Sequence, residues 1–140
     1  MSQENVEIVR RGLEAYSQGD FDAALADTPV DAEWVIAEEN PNARTLRGPD
    51  EIRAYFRDWQ ETLSGLRYEI DELVDAGDAV VCLGRVTGRA GNDGPEVTVA
   101  LATVTYFRDG IPIRTQEFLD SGAALEAVGL SEQDAHAEPS

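Results

Sequence analysis

The chain has 140 residues, 28 of them acidic and 11 basic, which gives a formal net charge of −17. That is one domain's worth of chain, able to bury about two-thirds of its unfolded surface without a metal or disulfide. Its negative field argues against nucleic acid or anionic membrane as partner, and one histidine with one cysteine offers no soft-ligand metal site.

Val6, Val9, Leu13 and Tyr16 are spaced three, four and three apart and predict an amphipathic helix over residues 3–17, with Glu7 and Arg11 paired outside. Gly19 ends it, and Asp20 caps a second helix in "FDAALAD" that the Thr28-Pro29 pair stops. "DAEWVIA" alternates as a short strand with Trp34 and Ile36 on one side, and "EENPNARTLRG" reads as loop. "GPDEIRAYFRDWQETL" is a third helix: Pro49 suits its first position, Asp50 and Glu51 its positive end, and Ile52, Tyr55, Phe56, Trp59 and Leu63 form the buried stripe.

After Gly65 the apolar period becomes two. Strands are expected from Leu66, over "AVVCLGRVTGRA", over "EVTVALATVTYFR", and after the Asp109-Gly110 hairpin turn in "IPIRTQEFLD". Cys82 falls in an apolar run and reads as a buried structural thiol. "SGAALEAVGL" is a short helix or coil, and residues 131–140, with His136, form an expected disordered tail.

Helices in front of a four-strand antiparallel meander make an α+β fold, one domain over residues 1–130, with three helices on one face of a curved sheet. On strand 96–108 both faces are short of charge. The face of Ala100, Ala102 and Val104 therefore calls for cover by a second subunit, and a homodimer is expected. No apolar run reaches the length of a membrane span and no secretory leader is recognisable, so a cytoplasmic location is expected.

The last strand places Ile111, Ile113, Thr115, Glu117 and Leu119 on one face, with a carboxylate inside an apolar series. Glu117 is expected to point into a small-molecule pocket, partly desolvated and with its pKa moved toward the range useful for proton transfer. Tyr16, Trp34, Ile36, Tyr55 and Trp59 would line that pocket with Thr103 and Thr105, favouring a flat, apolar ligand. Glu38 shares the parity of Trp34, and Arg85 is a conceivable third charged member.

The string "YSQGDFDAALA", "DAEWVIA", "RGPDEIRAYFRDW", "VDAGDAVV" and "YFRDGIPIRTQEFLD…ALEAVGL" resembles the SnoaL-like polyketide cyclase branch of the nuclear-transport-factor-2-like, or ketosteroid isomerase-like, superfamily. The resemblance implies a cone-shaped α+β barrel whose sheet curls round a pocket closed by helices. It also implies a small hydrophobic, cyclic or polyketide-like ligand, with cofactor-free cyclisation, isomerisation or dehydration, or ligand or protein binding without chemistry. The three functional positions of ketosteroid isomerase fall on Ile36, near Gly12, and on Thr103 or Thr105, so its catalytic groups are missing. The acid–base aspartate of the polyketide cyclases falls on Glu117, whereas their histidine has no counterpart.

Overall fold

The computed structural model describes residues 2–131; His136 and all of the expected tail except Ser131 lie outside the described residues. Helix α1 (Ser2–Ser17) turns Val9, Leu13 and Tyr16 toward the core. Glu7 pairs with Arg10 at 3.3 Å rather than with Arg11, because residues three and four along a helix are both neighbours. Gly19, at φ +77°, ends the helix. Asp20 caps α2 (Phe21–Ala24), its carboxylate accepting from the Ala23 N–H at 3.1 Å.

Strands β1 (Glu33–Val35) and β2 (Thr45–Arg47) pair antiparallel, Trp34 opposite Leu46. β2 lies inside the stretch read as loop. Three residues round one buried leucine are too short to show alternation. Gly48, at φ +83°, carries the chain into α3 (Gly48–Thr62); a Cβ there would stand 2.7 Å from the Val30 carbonyl oxygen. Asp50 and Glu51 occupy the first turn of α3, and Ile52, Tyr55 and Phe56 are buried.

The meander follows as β3 (Leu63–Asp75), β4 (Ala79–Ala90), β5 (Glu96–Ala100), β6 (Ala102–Arg108) and β7 (Ile111–Phe118). Asp109 and Gly110 both take positive φ between β6 and β7, as a tight hairpin turn requires. The sheet order is β2-β1-β7-β6-β4-β3, with β5 also on β4. All pairs are antiparallel except β1 with β7, so the early strand docks beside the last one. This is the expected α+β architecture, with N-terminal helices on a mostly antiparallel sheet.

The single strand expected over 96–108 breaks at Leu101, although its register against β4 runs through, from Arg85 opposite Ala100 to Cys82 opposite Thr103. The Tyr68 hydroxyl donates to the Leu101 carbonyl there. Gly84 makes room: a Cβ at that position would lie 2.3 Å from the Glu69 carbonyl oxygen and 2.7 Å from the Tyr68 ring. β3 is irregular between Ile70 and Glu72, and such bulges bend a sheet.

The other face of the sheet differs from expectation in its cover. Ala102 and Val104, with Ala79, Val81 and Leu83, pack under Ala124 and Leu125 of α4 (Ser121–Glu126) and the following Val128 and Leu130. Only Ala100 of the three residues that called for a second subunit is exposed. The chain's own end closes the apolar part of that face, a packing partner too short to announce itself by period. Among the described residues no helix is long and apolar enough to cross a membrane.

Candidate functional site

Between the helices and the inner face of the sheet lies a cavity of about 150 Å³. Its walls come from α1 (Tyr16), β1 (Trp34), α3 (Tyr55, Trp59), β6 (Thr103, Thr105) and β7 (Thr115, Glu117). Phe56 is the hub of the aromatic side, edge-on to Tyr16 at 5.0 Å and to Trp34 at 5.2 Å between ring centroids. Exposed Arg11 and Asp27 are among the residues round the cavity and mark where it reaches the surface.

Glu117 stands in this wall only 3% exposed. Its carboxylate accepts the Trp34 indole N–H at 2.8 Å and the Tyr55 hydroxyl at 2.9 and 3.0 Å, and the Ala37 backbone N–H adds a further hydrogen bond. Burial raises its pKa above the ordinary carboxylate value, and the bonds from Trp34, Tyr55 and Ala37 pull it partly back. Among the described residues no arginine pairs with it. Burial, and then the charge of Glu117, push the phenols of Tyr16 and Tyr55 well above their usual range, so both remain hydrogen-bond donors at neutral pH.

Glu117 points inward as expected, but its surroundings on β7 do not match the apolar series read for them. Ile111 is 49% exposed and Leu119 37%. The register against β6 slips between Tyr106 and Phe107, which sets Pro112 opposite Phe107 and leaves Ile113 as the extra residue. The bulge reverses the parity of everything before it. Thr115 is therefore the immediate inward neighbour, and its hydroxyl lies 3.1 Å from that of Thr105.

Tyr16, Trp34, Tyr55, Trp59, Thr103 and Thr105 all line the cavity. Ile36 does not: it follows the end of β1, bonds through its N–H to the Arg44 carbonyl, and is buried in the core. Glu38 is exposed in the loop. Arg85 is on the opposite face of the sheet, paired with Asp71 and with Glu69 at 3.1 Å. Phe56, Tyr68 and Leu101 also line the cavity, and their signal was in the sequence as part of the same apolar periods, without a mark to separate lining from packing. Cys82 is buried with its thiol pKa held up to about 12, chiefly by burial, and packs against the Tyr68 hydroxyl. No three His, Cys, Asp or Glu side chains among the described residues converge on a metal position.

A model of the SnoaL-like domain matches residues 9–113. The chain belongs to the SnoaL-like family. That match takes in Tyr16, Trp34 and Tyr55 and stops four residues short of Glu117. Among solved structures, an NTF2-like protein from Burkholderia thailandensis E264 is 31% identical with a TM-score of 0.73, covering 84% of this chain and 91% of that one. TerC, co-crystallised with polyporic acid, is 23% identical with a TM-score of 0.72, covering 89% and 98%. A ketosteroid isomerase-like-fold protein from Catenulispora acidiphila DSM 44928, in complex with trimethylamine, is 20% identical with a TM-score of 0.70, covering 95% and 98%. At those last two identities the likeness is one of fold. The phenylalanine–tRNA ligase alpha subunit of Halobacterium salinarum is 37% identical over 101 residues, 72% of this chain, which spans only 18% of that curated relative's length.

Proposed function

We propose that this SnoaL-like chain binds a small, largely apolar molecule in the cavity and that Glu117 moves a proton on it without a cofactor. One observation carries the reading. A carboxylate is buried in the wall of an apolar cavity with hydrogen-bond donors but, among the described residues, no salt-bridge partner, so burial raises its proton affinity toward that of a carbon acid's base. A ligand C–H next to a ketone would give its proton to a remaining lone pair of Glu117, its electron pair passing to the ketone oxygen. Return of that proton to another carbon completes an isomerisation, and attack of the enolate carbon on a second carbonyl, which takes up the proton, completes a cyclisation. That relatives of this fold have been crystallised with polyporic acid and with trimethylamine supports a small-molecule role.

A binding role without chemistry is favoured by a different observation. The donors from Trp34, Tyr55 and Ala37 use most of the acceptor capacity of Glu117. Beside it Thr103 and Thr105 carry hydroxyls that do not titrate near neutral pH. The two readings part on hydrogen–deuterium exchange of a cyclic ketone in heavy water, followed by NMR. Enzyme-dependent exchange that falls about 100- to 10,000-fold in Glu117→Gln supports proton transfer. Saturable ketone binding with no exchange above buffer leaves binding alone.

A further inference from the structure

The cavity wall carries an uncancelled charge. Glu117 is 3% exposed, and the groups that bond its carboxylate, from Trp34, Tyr55 and Ala37, are all neutral donors. They spread the charge without cancelling it. Among the described residues no arginine comes within salt-bridge distance of it. Buried charges are ordinarily paired, and folding has already stripped this one of most of its water. At the rim Arg11 and Arg114 are exposed to solvent that screens them, and Asp27 and Glu33 stand among them with the opposite sign. Over longer distances a net charge of −17 draws cations toward the molecule.

The rest of that wall is largely aromatic. Tyr16, Trp34, Tyr55, Phe56 and Trp59 line the same cavity. Among the described residues their ring contacts are tilted or edge-on, so no pair buries two faces against each other, and Trp59 is in no ring pair. A ring face attracts a cation within about 6 Å of its centroid, tryptophan most strongly. The volume of about 150 Å³ matches that of an engineered cavity able to hold benzene, which leaves room for a tetrahedral ammonium of about five heavy atoms.

We propose that the cavity takes a small alkylated ammonium ion, held among the aromatic rings with Glu117 as its counter-charge. The alkyl shell of such an ion meets the rings as a hydrocarbon does, while its charge meets the carboxylate. This rests on the cavity as a small-molecule site and goes beyond the chemistry given above. A cation beside Glu117 favours the ionised carboxylate and lowers its affinity for a proton. An ammonium ion in the cavity therefore displaces a neutral ligand and suppresses proton transfer.

Calorimetry on the full chain at low ionic strength tests it with choline and 3,3-dimethyl-1-butanol, which share a shape and differ by one charge, and with 2-cyclohexenone as competitor. Wild type is compared with Glu117→Gln and Trp59→Leu after melting curves establish that each variant folds. Choline should bind more tightly than the alcohol, compete with cyclohexenone, and lose roughly 10-fold or more in Glu117→Gln. Trp59→Leu should weaken choline about 2- to 30-fold, the worth of a cation–π contact, and the alcohol less. Equal affinity of wild type for choline and the alcohol overturns the proposal, whether or not the variants fold. So does choline that binds without displacing cyclohexenone, since it then sits on the acidic surface. A preference for choline that survives Glu117→Gln overturns the role of the carboxylate, and equal loss of both ligands in Trp59→Leu overturns that of the ring. Cyclohexenone binding without choline binding overturns this inference alone. If neither they nor the alcohol bind, the small-molecule reading falls with it.

Discussion

The Tyr55 hydroxyl meets the Glu117 carboxylate at 2.9 Å across 62 positions of sequence, joining the central helix to the last strand. Tyr55→Phe keeps the ring and deletes that bond, so Glu117 retains only Trp34 and Ala37 as donors. A hydrogen bond to a charged group contributes about 1.5 to 3 kcal/mol. Urea denaturation near neutral pH should show a loss of that order. The loss should shrink as pH is lowered toward the ordinary carboxylate range, because losing a donor raises the carboxyl's proton affinity further in the variant. A loss independent of pH would mean that the bond does not act on the charged form.

Glu117 also sets a pH dependence of its own. Its folded pKa lies above the ordinary value of 4.5. The folded state therefore holds the proton more tightly than the unfolded one, and the carboxyl's contribution worsens as pH rises from the unfolded value through the folded one. Relative to Glu117→Gln, the wild-type melting temperature should climb as pH is lowered toward the ordinary carboxylate range, then level off below it. Parallel melting curves across that window would show that burial does not shift this group.

At Gly84 the expected cost is steric. A methyl group there meets the Glu69 carbonyl and the Tyr68 ring at distances that no packed structure tolerates. Gly84→Ala should destabilise by about 1 to 3 kcal/mol or more, the range for overpacking. It should also shrink the cavity, because Tyr68 and Leu101 both line it. A fully stable variant with undiminished ligand binding would show that the β3–β4 bend has slack.

Ala102 and Leu125 both belong to the outer core, 2% and 0% exposed. Leu125→Ala should cost about 2 to 5 kcal/mol. Ala102→Glu buries a charge under α4 and should unfold that contact at constant monomer content in light scattering. Conversion of a stable dimer into a stable, fully folded monomer by Ala102→Glu would instead place a subunit interface there.

Long elements with a steady period were readable before the structure: α1, α3, β4 and the hairpin into β7. Glu117 was readable too, by parity alone. The bulge at Ile113 was not, because a register slip is settled by pairing with β6 and leaves no trace in the composition of β7. β2 and the covering role of α4 were missed for a related reason: short segments take their structure from tertiary contact, here Leu46 in the inner core and Leu125 in the outer one. Parity likewise put Ile36 with the pocket, although the chain had already left the strand by that residue.

The parallel pairing of β1 with β7 has a consequence for how the protein is made. In the sheet β1 pairs with its small partner β2 and with β7, and the side-chain donors to Glu117 lie 83 and 62 positions before it. A growing chain released as far as β6 therefore has helices, four paired strands and an unanchored β1–β2 ribbon, with neither the carboxylate nor the strand that seats Trp34. Contacts of such long span slow folding. They also make the addition of the last strand the moment at which ligand recognition begins, so an incompletely synthesised chain should be blind to whatever the finished one binds.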